Sequence, residues 1–308
     1  MFIPNEQIID LFNRNFSITI ADLARMSGKS SAEVKQILME EPKPTPPEVQ
    51  RDQPAKGKQE RHKLSQYVRH IAAMENIPYS QIIVCFCEQS GRAAIPFLEE
   101  RYTALIIDKA FLNNPLISNG DLLTHPNVKR VYKLAIDIAF LELDKLPEKI
   151  FFSSAAPPCT HLSRAGAWRW KFKDEANPHQ APQAAALVRD LIKWQRENAT
   201  YAYTEQPIIR LWREVIKEEP TDKLHPYQVA LFSDRIFKGD ESASCEQYSK
   251  RTWLWLTGLT KIKRGEMEML TKDMTTKLRG GSAIKRSLTP TGLARAVFQT
   301  IISDMEKS

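Results

Sequence analysis

The sequence predicts an α/β, doubly wound domain preceded by a small helical one, and three observations carry that prediction. Gln81-Ile82-Ile83-Val84-Cys85-Phe86-Cys87 is an apolar, β-rich run of the length of a buried parallel strand. A helical stretch from Ala93 to Arg101 follows, and then Thr103-Ala104-Leu105-Ile106-Ile107-Asp108, a second strand that ends in an acid. This is a βαβ opening, with a carboxylate where such folds catch ribose hydroxyls. Lys149 to Ala156 and Thr200 to Thr204 are two further strand-like runs, separated by an amphipathic helix from Ala185 to Glu197 with Leu187, Leu191 and Trp194 on one side.

In chain order, the first forty residues read as a helix-turn-helix-like domain. Glu6 to Phe12 is a helix, joined through Asn13 to Ser17 to a helical pair between Ile18 and Met39. Ile20 to Met26 forms the first helix of that pair, with Leu23 and Ala24 inward. Gly28 permits the tight turn, Ser30 or Ser31 caps the next helix, and Glu33 suits its first turn. Val34, Ile37 and Leu38 recur at helical spacing and pack back on the first helix. Lys29 and Lys35 are candidate contacts to DNA phosphates; the same apolar spacing also serves a hairpin that binds protein. Residues 41–63 carry Glu41-Pro42-Lys43-Pro44-Thr45-Pro46-Pro47 and Gln53-Pro54-Ala55-Lys56-Gly57-Lys58, the composition of an extended tether. Residues 64–308 form the catalytic part, with an amphipathic lead-in helix from Leu64 to Met74.

Composition bounds the function. The 308 residues leave room for one sizeable domain plus a small accessory one. A net charge of +7 and a pI near 9.1 suit an anionic partner. Cys85, Cys87, Cys159 and Cys245 lack metal-ligand spacing, so no metal is expected. Cys85 and Cys87, two apart on a strand, share a face and read as core. With no disulfide framework, no leader pattern and no run of membrane-spanning length, the expectation is a soluble, cytoplasmic protein without a membrane partner.

The chemistry centres on Pro157-Pro158-Cys159, which follows the Lys149–Ala156 run. The prolines fix φ and remove two backbone donors, so the turn that carries the thiol is stiff. Rigid presentation at a strand end suits a nucleophile that must meet one carbon in one orientation. Thr200 to Thr204 ends in Glu205-Gln206-Pro207. Tyr248-Ser249-Lys250-Arg251-Thr252-Trp253-Leu254-Trp255 is a basic cluster entering an aromatic strand, and Thr289-Pro290-Thr291-Gly292-Leu293-Ala294-Arg295-Ala296 opens a final helix. In this order the motifs resemble the DNA (cytosine-5) methyltransferases, in particular their compact phage- and plasmid-borne branch. The resemblance covers about residues 80 to 300.

That resemblance implies a Rossmann-like methyltransferase domain, S-adenosyl-L-methionine as cofactor and DNA as partner. It makes Cys159 the thiolate that adds to carbon 6 of cytosine, so that carbon 5 becomes enamine-like and can attack a methyl group. Glu205 becomes the carboxyl at ring nitrogen N3, protonated or sharing a proton with the base. Arg251 becomes a nearby cation that contacts the base carbonyl or holds Glu205. The loop Thr160 to Lys171 alternates arginine with aromatics, as a loop gripping distorted DNA does; Ser163, Arg164, Trp168 and Arg169 are its DNA-contact candidates. Gly91, Asp108 and Asp121 match the family's donor contacts.

Two departures accompany these matches. Cys85 and Gln89 stand where the family has an aspartate and a glycine, and Gln206 stands where it has asparagine. Three explanations of the donor motif compete: S-adenosylmethionine in a rearranged loop, an altered donor, or a lost activity. The rival functions are a donor-deficient DNA-binding protein and an enzyme that adds another group to a pyrimidine. The family's long target-recognition region is nearly missing, which leaves recognition to residues 256–282, 165–179, 211–244 or the N-terminal domain.

Overall fold

A computed structural model describes residues 3, 5, 7, 8, 11, 20–39, 62–112, 126–164, 167, 170–233, 250–265 and 289–307. Asp121, Trp168, Arg169 and Cys245 lie outside the described residues, as do residues 41–61 of the proposed tether, whose last two residues, His62 and Lys63, pair in parallel with Leu141 and Glu142. In chain order the main elements are α1 (Ile20–Ser27), α2 (Ser31–Met39), α3 (Leu64–Glu75), β1 (Ile82–Phe86), α4 (Ile95–Glu99), β2 (Thr103–Ile107), β3 (Val131–Leu134) and β4 (Ile150–Ala155). There follow α5 (Trp170–Ala176), α6 (Gln180–Asn198), β5 (Ala199–Pro207), β6 (Asp222–Leu224), β7 (Thr252–Thr257) and α7 (Thr291–Met305).

The seven strands form one sheet in the order β3-β2-β1-β4-β5-β7-β6. Strands β1 to β5 are parallel, and β7 runs antiparallel between β5 and β6. This is the doubly wound order with one reversed strand inserted near an edge. The sheet is covered on both faces, which explains why β1 is apolar at every position rather than alternating. Ile83 and Cys85 join Phe97 and Leu98 of α4 and Leu293, Ala296 and Val297 of α7. Ile82, Val84 and Phe86 join Tyr67 and Val68 of α3 and Leu191 and Trp194 of α6 on the other side. Each fully buried Ile, Val or Phe of β1 contributes roughly 1.5–3 kcal/mol.

The predicted α/β, doubly wound architecture is therefore present, with local differences. The strand expected over Gln81–Cys87 stops at Phe86, and Cys87 turns away with φ 54°. Cys85 and Cys87 thus do not share a strand face: Cys85 is fully buried, whereas Cys87 is half-buried at the sheet's end. The strand expected over Thr200–Thr204 runs on to Pro207, because β7 pairs with it as far as Thr252. Glu205 and Gln206 are strand residues rather than loop residues. Strands β3 and β6 were not foreseen.

The N-terminal helices carry a cluster of their own: Ile8, Leu23, Val34 and Ile37 are buried together, with Ala24 and Leu38 against them. Ser30, not Ser31, caps α2. Its hydroxyl accepts from the Glu33 N–H at 3.2 Å, while the Glu33 carboxylate accepts from the Ser30 N–H and hydroxyl at 2.7 Å each. That reciprocal arrangement is a capping box. Lys35 is exposed and Lys29 half-buried.

Candidate active site

The strand order reverses between β1 and β4, and open α/β sheets bind ligands in the crevice beyond the strand ends at such a point. The loops after β1, β2 and β3 lie on one side of it. On the other lie Pro157-Pro158-Cys159, just after β4, and Glu205, on the neighbouring parallel strand β5.

On the second side the two motifs are bound to each other. The Gln206 amide donates to the Pro157 carbonyl at 2.6 Å. Gln206 is the residue that departs from the resembled family, and its longer arm is used here to tie the thiol turn to the next strand. Gln195 of α6 supports the same pair of strands: its amide donates to Ser153 Oγ and the Tyr203 carbonyl, and its carbonyl accepts from Thr204 Oγ1 at 2.7 Å.

Cys159 is half-buried. Burial pushes its thiol above the ordinary range; Lys250 and Lys173 oppose that rise, and the Glu205 carboxylate adds to it. Burial also pushes Cys85 up to about 12, and raises Cys87 further with help from Asp108 and Asp137. Among the described cysteines Cys159 alone has two lysines favouring its thiolate.

Glu205 is 8% exposed. One carboxylate oxygen lies 3.8 Å from Lys250 Nζ, and the other is buried without a hydrogen-bond partner among the described residues. A buried acceptor left open in a crevice is one that a ligand can satisfy. The cation beside Glu205 is thus Lys250. Arg251, assigned the holding of Glu205 or a base contact, is exposed, and its charge acts on His225.

The other side is acidic. Glu88 directly follows the β1 turn, is 4% exposed, and accepts from the Ser90 N–H at 3.0 Å, the Ser90 hydroxyl, and Thr289 Oγ1 at 2.7 Å. The turn after β1 is thereby joined to the Thr-Pro-x-Gly segment. Burial raises the Glu88 carboxyl despite these bonds. Gly91 sits at φ 68°, a conformation that favours glycine. Gly292 of the same Thr-Pro-x-Gly segment is required differently: a Cβ there would stand 2.5 Å from the Val229 carbonyl oxygen.

Asp108 directly follows β2, accepts from the Ala110 N–H at 2.8 Å, and is raised by burial and by Glu88. Asp137, three residues past β3, repeats the device with the Ala139 N–H at 3.1 Å and pairs with Lys109 at 3.5 Å. Glu88 and Asp137 were missed from the sequence. The available signal was an acid just after each of three successive strands, and β3 went unread although Val131-Tyr132-Lys133-Leu134 carries β-prone residues. Among the described residues no group of three or more His, Cys, Asp or Glu could hold a metal ion, and no helix is long and apolar enough to cross a membrane.

Ser163 and Arg164 lie beside the thiol turn. Ser163 forms an antiparallel bridge with Ile209, and the Arg164 N–H donates to the Ile208 carbonyl at 3.0 Å, leaving the Arg164 side chain exposed.

No family model and no curated protein matches this chain. Two of the solved structures similar to it are of the glycopeptide N-methyltransferase MtfA. The complex with sinefungin is 13% identical with a TM-score of 0.24, covering 52% of this chain and 54% of that one. The complex with S-adenosyl-L-methionine is also 13% identical with a TM-score of 0.24, covering 50% and 53%. The chain thus spans about half the length of these neighbours. What the molecule defines by its own geometry is a Rossmann-like α/β domain with a thiol and a buried carboxyl at one side of its crevice and three acids at the other.

Proposed function

We propose that the protein is a DNA (cytosine-5) methyltransferase that uses S-adenosyl-L-methionine. The observation that supports this best is the joining of Cys159 and Glu205 on adjacent strands, laced through Gln206, in a crevice whose far side is acidic. Nucleophile and carboxyl then approach one flipped-out pyrimidine ring together. The acids fit the donor, because S-adenosylmethionine carries a sulfonium and an ammonium charge. Asp108 is placed for its ribose hydroxyls, Gly91 for a close backbone approach, and Glu88 and Asp137 add negative potential.

The residues divide the work as follows. Cys159 gives up its proton to water, its thiolate favoured by the Lys250 charge, and the thiolate bonds to carbon 6 of the cytosine. Glu205 donates a hydrogen bond or proton at N3, where the charge from the broken double bond collects. When bound, the cofactor would supply an electrophilic methyl group on sulfur for carbon 5, with a neutral thioether as its leaving group. Loss of the carbon 5 proton to water then expels the Cys159 thiolate and restores the ring. Lys250 holds Glu205 in place, while Arg251 is left for the base carbonyl or the DNA backbone.

For DNA binding, Ser163 and Arg164 stand next to the thiol turn, and the chemistry of Trp168 and Arg169 suits the same contact. Residues 1–40 form a separate DNA-binding domain on a tether of residues 41–63, with Lys29 and Lys35 on phosphates. The test is mass spectrometry of nucleosides from DNA of cells expressing the protein. The expected product is 5-methylcytosine, absent with Cys159→Ser. Unmodified DNA would reject methyl transfer, and a different added mass on cytosine would assign another transferred group.

A further inference from the structure

The thiol turn is held from outside by a clasp that the chemistry above does not use. Three successive carbonyls after Cys159 each receive a donor. Thr160 accepts from Lys173 Nζ at 2.7 Å, His161 from Arg210 Nε at 2.9 Å, and Leu162 from the Arg210 N–H at 2.9 Å. The Cys159 carbonyl closes the turn, accepting from the Leu162 and Ser163 N–H groups at 2.9 and 2.8 Å.

Arg210 is the centre of this arrangement. Its remaining guanidinium nitrogens form a bidentate pair with Asp174 of α5 at 2.6 and 2.7 Å, and its plane lies 4.6 Å from the Trp170 ring centroid. The side chain is 16% exposed and Asp174 is 42% exposed. One planar fork therefore addresses a carbonyl, a carboxylate and an aromatic face at once, which a lysine cannot do. Arg210 lies three residues beyond Pro207 at the end of β5, so the strand that carries Glu205 also carries the residue that grips the Cys159 turn.

We propose that Arg210, anchored by Asp174, is the positioning residue of the Cys159 turn, holding the thiol in its reacting place before any nucleic acid arrives. As a statement about catalysis this rests on the functional reading above; as a statement about the thiol it does not. Backbone carbonyls left without partners would let the turn open, exposing the thiol to small reagents while losing its aim at carbon 6. The two consequences have opposite signs, and a general loss of stability would in addition expose the fully buried Cys85.

The test is alkylation by iodoacetamide, followed cysteine by cysteine by peptide mass mapping across pH, beside methyl-transfer kinetics. In Arg210→Gln the Cys159 rate at neutral pH is expected to rise about three- to tenfold, as the midpoint falls toward the ordinary thiol value. Cys85 stays protected, and kcat drops about tenfold or more with KM for DNA little changed. Arg210→Lys should recover part of each. Asp174→Asn, whose change lies at the more exposed end, gives the same pattern more weakly and serves if Arg210→Gln does not fold. A Cys159 profile within twofold of wild type in both variants, or one that moves only together with Cys85, overturns the proposal. A protein that shows the alkylation shift but methylates no DNA keeps the clasp and loses the functional reading.

Discussion

The two sides of the crevice are built on opposite plans. Beyond β4 and β5, backbone carbonyls are tied down one after another: Pro157 by Gln206, Thr160 by Lys173, His161 and Leu162 by Arg210. Beyond β1, β2 and β3 the side chains that matter are acids. Burial raises two of them, Glu88 and Asp108; the charge of Glu205 adds to the first, and the charges of Glu88 and Asp137 add to the second. The carbonyls of the thiol turn on the first side are satisfied without a ligand, while one Glu205 oxygen and one Gln206 oxygen are among the buried side-chain atoms that have no hydrogen-bond partner among the described residues. The second holds like charges close together, an arrangement that a cationic ligand relieves. Under the proposed function the comparison teaches a division of labour: the reacting side is preorganised, and the donor side is charged to be neutralised.

The largest effect expected on the reacting side comes from Glu205. Glu205→Gln keeps size and most hydrogen bonding but cannot supply an acidic proton. If the carboxyl stabilises charge at N3, DNA affinity stays near wild type and single-turnover methyl transfer slows at least about a hundredfold, ~3 kcal/mol in the barrier. A rate within a few-fold of wild type would make Glu205 a bystander and dissolve the distinction between the two sides.

Asp108→Ala probes the other side. Loss of a charged hydrogen-bond acceptor there should weaken S-adenosylmethionine binding by calorimetry about thirtyfold, ~2 kcal/mol, and leave alkylation of Cys159 unchanged. Asp137→Ala should act in the same direction and less strongly, since Asp137 already pairs with Lys109. Equal donor affinity in both variants would refute the assignment of this crevice to a cationic donor.

A smaller effect concerns pH. Because burial raises the Cys159 thiol, its alkylation should climb at higher pH than that of an ordinary exposed thiol. Lys250 favours the thiolate, so Lys250→Met removes a stabilising charge and moves the midpoint up again. A downward or absent shift would show that Lys250 serves Glu205 alone.

Much of this was legible in the sequence, for physical reasons. A strand buried on both faces is apolar throughout, so β1, β2 and β4 announce themselves, and a Pro-Pro-Cys at the end of one marks a stiff turn wherever it falls. What was not legible depends on distant partners. Glu205 reads as a loop residue until β7, almost fifty residues later, extends its strand. Gln206 reads as a misfit until the Pro157 carbonyl appears opposite its amide. Arg210 carries no motif at all, because two of its side-chain partners are a backbone carbonyl and an indole face. Lys250 and Arg251 are adjacent and both basic, and which of them approaches Glu205 is visible only in the fold. Glu88 and Asp137 required recognising that each strand of a parallel set ends at the same edge of the sheet.

The central claim is that Cys159 forms a covalent bond to a cytosine ring during methyl transfer, and trapping tests it most directly. DNA carrying 5-fluorocytosine blocks the last step, since fluorine cannot leave carbon 5 as a proton does. With S-adenosylmethionine present, the account predicts a denaturation-resistant protein–DNA complex whose crosslinked peptide contains Cys159, retained in Cys85→Ser and lost in Cys159→Ser. A wild-type protein that methylates ordinary cytosine yet yields no Cys159-dependent complex with this DNA would contradict it.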